Sequence, residues 1–156
     1  MLTDKDAMTF IGKVEEPFKS LPHLPKGIVE FLVKIAPWFA LLGAILSLFM
    51  GPLWGLVTVL SLFTLNPMAA LLILIAGLLT LVNAVLLFMA FTPLKNHEMK
   101  GWVYIFWSEV ISIVSSILAV FNGGPSGAVG SIIGILIGLY ILFEMKSFYS
   151  GNPAKK

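Results

Sequence analysis

Between Gly101 and Phe143 the chain carries one side chain among Asp, Glu, Lys, Arg and His, and it is Glu109. A carboxyl group set in an apolar stretch is costly to place and often marks a proton, cation or ligand site. On a helix, Ser112 and Ser116 share its face, and Ser108 stands beside it. Asn83 is the one amide in the middle of a neighbouring apolar run and needs hydrogen-bond partners there. Glu109, Asn83, Ser108, Ser112 and Lys34 are therefore the candidate intramembrane polar site, suited to holding a proton or a small cation. Lys34 follows Glu30 at i, i+4, the favourable order for an ion pair. Lys34 could also neutralise Glu109, which would make that carboxylate structural.

Other chemistry is scarce. Cysteine is absent, which removes disulfides, thiol catalysis and Cys metal sites. Arginine is absent too, so no bidentate clamp for carboxylate or phosphate is available. No HExxH, P-loop or GxGxxG motif occurs. The net charge is only +2 and no basic cluster with interleaved aromatics appears, which argues against nucleic acid as a partner. The expectation is a protein that is not an enzyme and uses neither metal nor cofactor.

The elements that position these groups follow from hydropathy. Hydrophobic residues make up 58% of the chain and charged residues 12%, where soluble domains have about 45–50% and about 25%. From Ile35 to Leu94 there is no Asp, Glu, Lys, Arg or His. At about 20 residues per span, the chain is predicted to form an all-α integral membrane bundle of four transmembrane helices, near 28–50, 67–91, 101–121 and 127–148. Residues 1–27 form a cytoplasmic amphipathic helix and a Pro-rich connector, and 150–156 a cytoplasmic tail. In the amphipathic helix, Ala7, Met8, Ile11, Val14 and Phe18 recur at helical spacing and Pro17 ends it. Gly51-Pro52 is predicted to break the first span, leaving 53–65 as a short interfacial helix between spans 1 and 2. Asn66 reads as the N-cap of the second span, with Pro67 at its first position. Trp102, Tyr104 and Trp107 read as an aromatic belt at the membrane surface.

Orientation follows from lysine. All ten lie before or just inside the first span, between the second and third, or at the C-terminal end. Four spans place these regions on one side, which the positive-inside rule makes cytoplasmic, together with both termini. The fourth span carries Gly130, Gly134 and Gly138, a small-residue stripe that permits close helix approach in lipid. Depth matching across an antiparallel pair sets Ser116 near Gly130, Ser112 near Gly134 and Glu109 near Gly138. A homo-oligomer is the other use of that stripe.

Gly124-Pro125-Ser126-Gly127 has the form GxSG and resembles the nucleophile motif of rhomboid intramembrane proteases. That family needs a His on another span as base, and His23 and His97 both lie outside the spans, so Ser126 reads as a helix cap. Leu21-Pro-His-Leu-Pro25 before the first span, Lys100-Gly-Trp102 opening the third, and Phe143-Glu-Met-Lys-Ser-Phe-Tyr149 at the end resemble small bacterial four-span membrane proteins. This resemblance implies no activity. The functional expectation is a structural or accessory subunit of the cell membrane, in bacteria the inner membrane. Its partners would be the lipid bilayer and either a second copy or another membrane protein. The alternative is a small oligomeric transporter or channel for protons or cations that uses Glu109.

Overall fold

The computed structural model describes residues 5–63, 67–123 and 128–151. Helix α1 runs Lys5–Glu15, and a 3-10 helix follows at Glu16–Ser20. Pro17 sits in the first turn of that 3-10 segment, where its missing N–H leaves no donor unpaired. Four long helices complete the chain: α2 Lys26–Phe63, α3 Pro67–Lys95, α4 Met99–Gly123 and α5 Ala128–Tyr149. Each is long and apolar enough to cross a membrane. The protein is a multi-pass membrane bundle in which consecutive helices pack side by side, α2 against α3 most extensively, and α5 returns to touch α2.

The expected break at Gly51-Pro52 does not occur. α2 continues as one 38-residue helix through Pro37 and Pro52, and among the described residues no separate interfacial helix lies between it and α3. An interior proline removes one hydrogen bond and crowds the carbonyl four residues back, a cost of about 3 kcal/mol. Leaving the helix would strand several backbone groups without water, at several kcal/mol each. The helix is therefore the lesser cost. At about 1.5 Å per residue it is about 57 Å long, well beyond a hydrocarbon core of about 30 Å. The second span likewise passes Pro93 and ends at Lys95. The expected caps at Asn66 and Ser126 and the tail beyond Gly151 lie outside the described residues.

The α2–α3 seam is built from small side chains. Ala36, Ala40 and Ala44 recur every four residues on α2 and are at most 8% exposed. On α3, Ala70, Gly77 and Ala84 recur every seven and are buried. Small residues at these intervals let helix backbones approach where no hydrophobic effect drives association. A methyl added at Gly43 would lie 3.1 Å from Leu87 Cδ1.

The larger buried side chains gather at the lysine-bearing end. Trp102, Phe106, Leu94, Leu142 and Tyr149 are almost fully enclosed, and Ile11 joins them from α1. The aromatic belt is thus a core instead: Trp102 is fully buried and Tyr104 is 7% exposed. Two elements cover these rings. Phe10 of α1 stacks on Trp107 at 6.1 Å between centroids, and Phe143 of α5 lies 5.8 Å from Trp102. Trp102 Nε1 donates to Leu142 O at 2.6 Å, and the Lys146 ammonium stands 5.5 Å above the indole. Lys146 also pairs with Glu15, fastening α1 to α5.

Candidate functional site

The polar residues separate onto two faces of α4. Ser108 Oγ donates to Asn83 Oδ1 at 2.5 Å, joining α4 to α3. Ser112 Oγ donates to the Ser108 carbonyl at 3.1 Å, a bond within its own helix. Ser108 is buried, and its hydroxyl and the Asn83 carbonyl oxygen are paired with each other, so this pair is a clasp between helices. Such bonds contribute about 0.6–2 kcal/mol in lipid.

Glu109 faces the other way, toward α5 and α2. Its carboxylate lies against Gly138, where a β-carbon would come within 3.1 Å of Oε1. The depth match of Glu109 with Gly138 therefore holds, and Gly138 is the position whose bare backbone makes room for the acid. The rest of the stripe behaves differently. A β-carbon at Gly130 or Gly134 would meet nothing within 4 Å. Among the described residues, these two glycines do not pack against Ser116 or Ser112.

Lys34 does not join Glu109. It lines a separate cleft of about 500 Å³ with Glu30, Lys95, His97 and Trp38. The Glu144 carboxylate is taken by the connector. His23 Nδ1 lies 2.8 Å from Glu144 Oε1, and the Leu24 backbone N–H donates to Oε2 at 3.1 Å. Tyr140 Oη donates to the Pro22 carbonyl at 2.5 Å. The Pro-rich connector is thereby held along α5 up to the level of Tyr140, two residues beyond Gly138.

Neither a protein-family model, nor a curated protein, nor a solved structure matches the chain. The Glu109 carboxylate borders a cavity of about 350 Å³ between α2, α4 and α5. Leu32, Ile35, Ala36, Phe39 and Ala40 form one wall, Ile141, Leu142 and Met145 the other, and Leu87 and Ile105 the back. Among the described residues no cation lies within salt-bridge distance of Glu109. No three His, Cys, Asp or Glu side chains converge there as metal ligands would.

Sequence reasoning missed this cavity because its walls are ordinary aliphatic residues. The available signal was the Ala36-Ala40-Ala44 interval. It brings α2 close to α3 and leaves shallow side chains on the wall that Glu109 faces.

Proposed function

We propose that the protein is a non-enzymatic, multi-pass subunit of the cell membrane, with both termini cytoplasmic, that acts by helix packing with a second copy of itself. The observation that carries this is the open ground over Gly130 and Gly134. On the same half of α5, Ile132, Ile133, Leu136 and Ile137 are more than half exposed. A four-residue glycine interval flanked by β-branched side chains is the surface on which two helices approach closely in lipid. Among the described residues nothing occupies it. The lysine distribution supports the orientation, since every lysine in the described helices lies near one end of the bundle.

The proposal separates association from folding. Gly134→Leu is expected to leave the monomer's melting temperature within about 0.5 kcal/mol equivalent of wild type, as for an open surface position. The same change is expected to weaken self-association in bilayers at least tenfold, or about 1.4 kcal/mol. Single-molecule photobleaching of labelled protein in liposomes across a dilution series measures this. Unchanged association in the variant, or a wild type that stays monomeric at every density, contradicts the proposal.

A further inference from the structure

We infer that the cavity beside Glu109 is a binding site for a lipophilic monocation, an ammonium group on an apolar body, that enters from the bilayer between α2 and α5. Three observations converge. The lining offers one charged acceptor, the Glu109 carboxylate, and otherwise aliphatic and aromatic carbon. An amphiphile with one positive end matches that distribution, the cation on the acid and the body along Phe39, Ile35 and Ile141. The opposing wall is cut away where the acid lies, because Gly138 has no side chain to cover Oε1. The cavity is also reachable from lipid, since α2 and α5 touch only sparsely. Phe39 on the rim is 65% exposed.

The same lining selects against other amphiphiles. It supplies no side-chain donor, so a phosphate, sulfate or carboxylate brought into the cavity would lose its water and gain no hydrogen bond. An aminophospholipid would carry its phosphate beside its ammonium and meet that penalty. A single positive charge meets only the favourable half. The volume of about 350 Å³ stands at the small end of the range of about 300–1,000 Å³ for ligand pockets, which suits a compact head with a trailing chain.

The test uses the full chain in phosphatidylcholine nanodiscs with radiolabelled dodecylamine, read by scintillation proximity against empty discs. Wild type is expected to bind saturably at one per chain. Glu109→Gln is expected to bind at least tenfold more weakly with an unchanged melting temperature. Ile141→Phe, which narrows the cavity and leaves the acid and the α2–α3 seam in place, is expected to lose binding comparably. Neither dodecyl sulfate nor phosphatidylethanolamine added to the discs should displace the amine. No saturable binding by wild type overturns the inference without recourse to a variant. Binding by Glu109→Gln within twofold of wild type overturns it too, as does displacement by either competitor.

Discussion

Trp102→Ala lowers the stability of the folded bundle by about 3–5 kcal/mol, the range for deleting a large buried aromatic. The size of the effect follows from what the ring touches. Trp102 is fully buried, stacks on Phe106 at 5.8 Å, and gives its only donor to Leu142 O. It also stands under Lys146, which holds Glu15. One truncation therefore opens a cavity, leaves a carbonyl of α5 without its partner, and loosens the attachment of α1. Thermal unfolding in detergent measures the first two. Faster proteolysis within residues 5–20 reports the third. Trp102→Phe keeps much of the volume and loses the donor, and should fall between wild type and alanine. If Trp102 were a lipid-facing anchor, alanine would cost little and leave α1 protected.

Gly101→Ala is the second large effect, and its sign is opposite to the usual one. In a helix, alanine in place of glycine stabilises by about 0.5–1 kcal/mol. At Gly101 the new β-carbon would come within 2.5 Å of the Leu94 backbone nitrogen and 2.9 Å of the Pro93 carbonyl carbon. Both contacts are backbone, so no side chain can turn aside. The α3–α4 connection is closed by the Glu98 N–H to Pro93 O bond at 2.8 Å, and its reversal places His97 at a positive φ of 56°. Moving α4 away would break that turn. The expected loss is about 3 kcal/mol, the upper end for overpacking. Gly12→Ala in α1, where a β-carbon meets nothing within 4 Å, is the control and should show the ordinary gain. Equal, small effects at both positions would show that the α3–α4 approach is looser than described.

The number of spans was legible because the lipid core demands length and hydropathy and tolerates little else. Glu109 and Asn83 were legible for the same reason, as polar exceptions. What escaped was which way each side chain points. Asn83 and Glu109 sit at similar depth, but Ser108 and Glu109 are adjacent on α4 and so lie about 100° apart around the helix. One meets α3 and the other α5. The break at Pro52 was misread because proline is judged by its cost in water, where the chain can leave the helix freely. The aromatic belt was misread because Trp at a span end serves equally as lipid anchor or as core, and only the packing of α1 and α5 over the rings decides. The glycine stripe was legible as a spacing; that Gly138 lies against Glu109 while a β-carbon at Gly130 or Gly134 meets none of the described residues depended on helix splay, which no spacing encodes.

The proposed arrangement is four spans with the lysine-bearing end, the Trp102 core and the Glu109 cavity on the cytoplasmic side. Cysteine is absent from the chain, so single cysteines can be read cleanly with a membrane-impermeant maleimide on intact cells. Ser126→Cys is expected to be labelled from outside, and Asn96→Cys only after the membrane is permeabilised. Labelling of Asn96→Cys in intact cells, with Ser126→Cys protected until permeabilisation, would contradict the arrangement.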